Sequence, residues 1–238
     1  MPVTSEDGSV DVLPDVRDLP GAPYDLEFFL DPGCPFAWQT SRWIRRVAEL
    51  RGLCVGWRFV SLFVIHEHDE VDEYPLAGRA RARCHQVHRV MHAVREAHGN
   101  DAVGRLYEAW GNRLWSAEPG AAVAEVAEGI ELGALLESVG LTAELAAHAE
   151  DESHDGVIRA ETALAFERAG QDVGTPIITY DPAGGGGSFF GPVISSLPDD
   201  AASLAIYDAL RTLVDLPTFT ELKRTIRPPL DLPLLARP

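Results

Sequence analysis

The sequence predicts an α/β protein in which a β-α-β unit and a β-β-α unit flank a long block of helices. Three observations carry that reading. A short apolar run, Leu26–Leu30, leads into an amphipathic stretch and then a second strand-like run. Residues 75–170 are rich in alanine and read as helical throughout. Beyond them, two short β-type runs are joined by four consecutive glycines.

The elements follow in order. Residues 1–24 hold several Asp, Glu, Pro and Gly and read as a mobile acidic leader. Leu26–Leu30 is a short buried strand. A helix is expected from Cys34 to about Leu50, with Thr40, Trp43, Ile44, Val47 and Leu50 on one face and Arg42, Arg45, Arg46 and Glu49 largely off it. Gly52 ends it. Leu53–Val60 is the second strand, parallel to the first and reached by a right-handed crossover. Turns near His98-Gly99-Asn100, Glu118-Pro119-Gly120 and Gly140-Leu141-Thr142 divide the helical block. Thr142 opens a short helix, and Asp155-Gly156 precede one that runs to Ala169-Gly170. Thr175–Tyr180 and Ser188–Phe190 form an antiparallel hairpin around Gly184–Gly187. No Lys-Ser/Thr follows these glycines, which favours a turn over a phosphate loop. Ser203–Val214 is a closing helix, and the Pro-rich tail from Arg227 is extended.

Strands are thus expected near 26–31, 54–60, 176–180 and 187–190. This order is the βαβ–ββα plan of a thioredoxin fold, and the large all-helical insertion makes it DsbA-like. The division is a core of 25–62 and 172–226, an insertion of 63–171, a leader of 1–24 and a tail of 227–238.

The chain carries 37 acidic against 20 basic residues, a formal net charge of −17. Such a field repels phosphate backbones and anionic lipid, which argues against nucleic-acid and membrane-surface roles. Three cysteines, an odd number, argue against a disulfide framework. No basic-then-apolar leader opens the chain, and no run approaches about 18 apolar residues. The expectation is a soluble, cytoplasmic protein with reduced thiols.

Cys34 is the candidate nucleophile. It follows a buried strand and opens a helix in Asp31-Pro32-Gly33-Cys34-Pro35-Phe36-Ala37-Trp38. Unpaired N–H groups and the helix dipole at that place favour thiolate over thiol. Pro35 suits the first turn. Ala37 stands where a Cys-x-x-Cys motif would carry its resolving thiol. Cys54 begins the next parallel strand, at the far end of the sheet, and reads as an inert core thiol beyond disulfide reach. Cys84, in the helical block, is open as a distal resolving thiol. Cys84, His88 and His92 recur at four-residue spacing with His85 beside them. With no second ligand cluster of matching spacing, they read as a solvated or cleft-lining face and no metal is expected.

The chain resembles the DsbA-like thioredoxin superfamily, and within it the mycothiol-dependent nitroreductase and disulfide-reductase group. The resemblance rests on Phe28–Pro35 with Trp38 and Ser41–Ile44, on Ala97-His98-Gly99, Gly111-Asn112-Arg113 and Asp172–Pro176, and on Phe189–Val193 and Glu221–Thr225. It covers most of residues 25–228. It implies a redox cysteine at Cys34, a cis-proline at Pro176, a helical lid over a substrate cleft, and a low-molecular-weight thiol as electron donor. Family members of this group carry Cys-Pro-x-Cys, whereas this chain has Ala37. The implied site is Cys34 with Pro35, Phe36, Ala37, Trp38, Gly174, Thr175 and Pro176 around a thiol or substrate. The implied activity is a monothiol thiol-disulfide oxidoreductase with no tightly bound cofactor. It would use mycothiol or glutathione to reduce mixed disulfides or a small electrophile. The alternative is a redox-inactive binding module that keeps the cleft. Oligomeric state stays open.

Overall fold

The structure, a computed structural model, describes residues 13–68, 75–226 and 228–236. It is a mixed α/β protein. The strands β1 (Leu26–Leu30), β2 (Val55–Phe59), β3 (Ile177–Tyr180) and β4 (Ser188–Phe190) form one sheet in the order β2-β1-β3-β4. β1 and β2 are parallel, with Phe28 opposite Trp57, and β1–β3 and β3–β4 are antiparallel. The helix α1 (Pro35–Arg51) supplies the crossover between the parallel pair. Among the described residues of the central block are α2 (Leu62–Ile65), α3 (Pro75–His98), α4 (Asn100–Trp115), α5 (Val123–Glu128), α6 (Leu132–Ser138) and α7 (Asp155–Ala169), with two 3-10 segments between α6 and α7 and no strand. The helix α8 (Asp200–Val214) follows the hairpin.

β1 is buried on both faces, so it is apolar at four of its five positions, and Glu27, the fifth, is buried with ion-pair partners. Leu26, Phe28 and Leu30 enter the large core shared with α1, α3 and α4, while Phe29 meets Leu164 and Ala165 of α7. Close approach is enforced by glycine. A Cβ on Gly111 of α4 would lie 2.2 Å from the Trp38 ring, and one on Gly104 would lie 2.5 Å from Trp57 Nε1.

Charges are buried between the sheet and α7. Fully buried Arg58 pairs with Glu27 at 2.5 Å and Glu161 at 3.4 Å. Arg95 completes Glu161 at 2.9 Å, and Arg168 completes Glu27 at 2.6 Å. Every charge in this set has a partner, the condition under which burial is tolerated.

Several expectations need correction. The first twelve leader residues lie outside the described residues, but 13–24 are tied down: Arg58 donates to the Val16 and Arg17 carbonyls at 2.7 and 2.8 Å, and Leu19 and Tyr24 are buried. The tail is likewise packed where described. Leu232 and Leu234 are buried, and Pro233–Leu235 makes a 3-10 turn. Cys34 is the N-cap, one residue outside α1, and Leu50 lies off the buried face. Ala143–Glu150 winds as 3-10 rather than α, and Thr142 makes no side-chain cap. α8 begins at Asp200 because the Asp199 carboxylate accepts the Ala202 N–H at 2.8 Å. Cys54 is exposed, not an inert core thiol, because β2 starts one residue later.

Candidate active site

The loop that ends β1 builds the site. Asp31 Oδ1 accepts the Gly33 N–H at 2.7 Å, and Oδ2 accepts the Leu62 N–H at 2.8 Å. One carboxylate therefore shapes the turn and ties it to the start of α2. Trp110 of α4 donates to the Pro32 carbonyl at 3.0 Å. Gly33 is needed because Cys84 Sγ would lie 2.9 Å from a Cβ there. This placement puts Cys34 in extended backbone at the α1 N-terminus. Its Sγ accepts the Ala37 N–H at 3.4 Å and donates to the Thr175 carbonyl at 3.7 Å. The Thr175–Pro176 peptide is cis. The loop thus brings Cys34, Ala37, Thr175 and Pro176 together, and the first contact spans 141 residues of sequence.

The electrostatics reverse the expectation for the thiol. Cys34 is only 4% exposed, and burial pushes its pKa up to about 12. The N–H groups of Ala37 and Phe36 pull it down, and the Asp31 carboxylate pushes it further up. The helix terminus acts in the expected direction, but desolvation of the sulfur outweighs it. Cys84 is also buried and raised, again chiefly by desolvation. Asp31 is raised to about 6 by burial, against three backbone N–H bonds and the Arg81 charge.

A cleft of about 420 Å³ opens beside the loop, lined by Asp31, Gly33 and Pro35 with Leu62, Ala80, Arg81, Trp115 and Leu235 among its walls. Of the expected binding residues only Pro35 lines it. Trp38 turns inward, edge-on to Tyr107 with centroids 5.7 Å apart. Phe36 is half-buried, and Gly174 lies near the Phe190 ring. Asp31, Arg81, Trp115 and Leu235 were missed. Asp31 had a local signal, an Asp two residues before a Gly after a strand, which favours a side-chain-to-backbone turn. The other three converge only through tertiary structure.

The histidine face expected to be solvated or cleft-lining is buried and does not line the cleft. His85 bridges Ser61 Oγ and Asp155 Oδ1 at 3.1 and 3.0 Å, and His88 Nε2 meets the Leu30 carbonyl at 3.2 Å. His88 thus docks α3 on the end of β1, and His85 ties it to Ser61 and to the start of α7. Cys84, His88 and His92 therefore point to three different partners and do not form one ligand set.

The family model described as "Rv2466c-like: Mycothiol-dependent nitroreductase Rv2466c" matches residues 33–224. The chain belongs to this family. A relative, the uncharacterized protein Rv2286c of Mycobacterium tuberculosis, is 30% identical over 219 residues, covering 89% of this chain and 86% of the relative. The family match includes Cys34 and both sides of the Thr175–Pro176 bond. No described helix is long and apolar enough to cross a membrane.

Two outcomes follow. Brief iodoacetamide treatment at neutral pH labels exposed Cys54 before buried Cys34, and the Cys34 rate still climbs above about pH 9, as peptide mapping will show. The second concerns Asp31. Its folded pKa of about 6 lies above its ordinary value of 3.8, so the fold favours the protonated carboxyl. Stability from this group falls as pH rises from about 4 to 6, by at most about 3 kcal/mol at 1.36 kcal/mol per unit. In urea unfolding, that decline is present in the wild type and absent in Asp31→Asn. Equal pH profiles would contradict the burial of an ionisable Asp31.

Proposed function

We propose that the protein is a mycothiol-dependent oxidoreductase of monothiol type, built on a thioredoxin-type core with a DsbA-like helical insertion. The core is 25–62 with 172–226, and 63–171 is the insertion. The observation that carries the reading is the Cys34 sulfur, held between the Ala37 N–H and the carbonyl preceding cis Pro176 beside an apolar cleft. Family membership supports mycothiol as the small thiol.

The chemistry needs one protein thiolate. Cys34 Sγ attacks one sulfur of a mixed disulfide RS–SR′, forming Cys34–S–S–R and releasing R′S⁻. A mycothiol thiolate then attacks the R sulfur, restoring the Cys34 thiolate and releasing the R–mycothiol disulfide. For a small electrophile the same cycle holds: Cys34 S⁻ adds to it, and mycothiol thiolate attacks the Cys34 sulfur of the adduct, releasing the two-electron-reduced product and leaving a Cys34–mycothiol disulfide that a second mycothiol reduces. Burial keeps the proton on Cys34 at neutral pH, so this chemistry requires water or the co-substrate to reach the sulfur and take that proton. The Ala37 and Phe36 N–H groups stabilise the anion there. Pro35 and the Thr175 carbonyl border the incoming thiol. With Ala37 in the fourth position, the resolving thiol of this reading is mycothiol, and Cys84, a free thiol packed against Gly33, is the protein alternative.

A second reading has its own observation. A buried thiol held near pKa 12 suits a redox-inactive module that binds a ligand in the cleft. Turnover separates the two. The wild type reduces a protein–mycothiol mixed disulfide with mycothiol as donor, and Cys34→Ser loses about 100-fold or more. Equal rates in both proteins would remove Cys34 from the chemistry. No turnover in either would favour the binding module.

The role of Ala37 is tested separately. Residues three apart in the first turn face each other, at about 5–6 Å between Cβ atoms. Ala37→Cys therefore gains an intramolecular disulfide on oxidation, seen as a two-proton mass loss that the wild type lacks. Absence of that loss would show that Ala37 is not at a resolving position.

A further inference from the structure

We propose that His92, Glu96 and His154 form a site for one divalent transition-metal ion, zinc by its ligand chemistry, in the helical block. His92 and Glu96 stand one turn apart on α3 and project to the same side. His154 arrives from the 3-10 turn before α7, 62 residues beyond His92. The His92 and His154 Nδ1 atoms are 2.7 Å apart, and the Glu96 Oε2 lies 3.8 Å from the first and 3.9 Å from the second. Ligands about 2.0–2.2 Å from a tetrahedral ion stand about 3.3–3.6 Å from one another. The observed edges bracket that range, so small ring rotations admit the ion. Glu96 is 63% exposed, so the fourth position faces solvent and takes water.

The surroundings fit a ligand histidine. His154 Nε2 lies 2.9 Å from His148 Nδ1. Donation from Nε2–H to His148 makes the His154 Nδ1 an acceptor, which takes the His92 Nδ1–H when no ion is bound and turns its lone pair to the metal when an ion displaces that proton. His148, Asp151 and His154 make a second possible trio. It uses the opposite nitrogen of His154, lies on one more exposed stretch, and gives up the His148 hydrogen bond. The first trio is therefore the site, and His148 is its positioning residue. Two imidazoles with one carboxylate suit zinc, cobalt or nickel better than magnesium or calcium, which prefer all-oxygen sets.

Such an ion joins α3 to residues 148–155 and the start of α7. It stands eight residues along α3 from Cys84, about 12 Å at 1.5 Å per residue. The site is thus a staple of the helical block, separate from the Cys34 chemistry.

The test uses the full chain stripped with a chelator and dialysed. Titration with zinc chloride, followed calorimetrically, gives one ion per chain at micromolar affinity or tighter, and the ion raises the thermal midpoint. His154→Gln lowers the affinity at least about 100-fold, and Glu96→Gln and His148→Gln about 10-fold each. Because Glu96 is exposed, its variant remains informative if His154→Gln does not fold. Cobalt(II) in the same site gives visible ligand-field bands without the near-ultraviolet thiolate charge-transfer band, which excludes the three cysteines. Three results would each overturn the site: no stoichiometric binding by the wild type, unchanged affinity in Glu96→Gln and His148→Gln, or a cobalt–thiolate band.

Discussion

The Asp31 carboxylate is the contact on which the site depends. It takes a buried acid off the end of the central strand and turns the chain through the Gly33 N–H. It also fastens that turn to α2 through the Leu62 N–H. The same turn presents Cys34 as the cap of α1 and leaves no room for a side chain at position 33, where Cys84 packs. A charged group doing this work in the interior carries an electrostatic cost. That cost is visible in the upward shift of Asp31 itself and in its contribution to the upward shift of Cys34.

Two opposed effects act on the Cys34 sulfur, and magnitude decides between them. A helix N-terminus offers N–H donors that lower a thiol pKa, and Ala37 and Phe36 supply them. Those donors act on a buried sulfur that rests against the Thr175 carbonyl. The cost of placing an anion there is larger than the gain from two backbone dipoles. Access to the sulfur governs reactivity more than the helix dipole does.

Most of the fold was legible in the sequence. Phe28 and Phe29 can only be a strand buried on both faces, Gly52 stops α1, and Gly184–Gly187 turn β3 into β4. Cys34, Thr175 and Pro176 were legible through the family motif. The rest needed three dimensions. The close packing of α4 through Gly104 against Trp57 and Gly111 against Trp38 is a relation no local pattern displays. Nothing local to Arg58 shows its partners: Glu27, Glu161 and the leader carbonyls are brought to it only by the fold. His92 pairs with His154 across 62 residues, so helical spacing alone grouped it with the wrong partners.

The central claim is that Cys34, although buried, is the protein sulfur that exchanges with a small thiol. Treatment of the native protein with oxidised mycothiol, followed by intact-mass measurement and peptide mapping, tests this most directly. The account predicts one mycothiol adduct on Cys34 and no adduct there in Cys34→Ser. Any adduct on exposed Cys54 should form independently of that residue. An adduct confined to Cys54, with Cys34 left as a free thiol, would contradict the account.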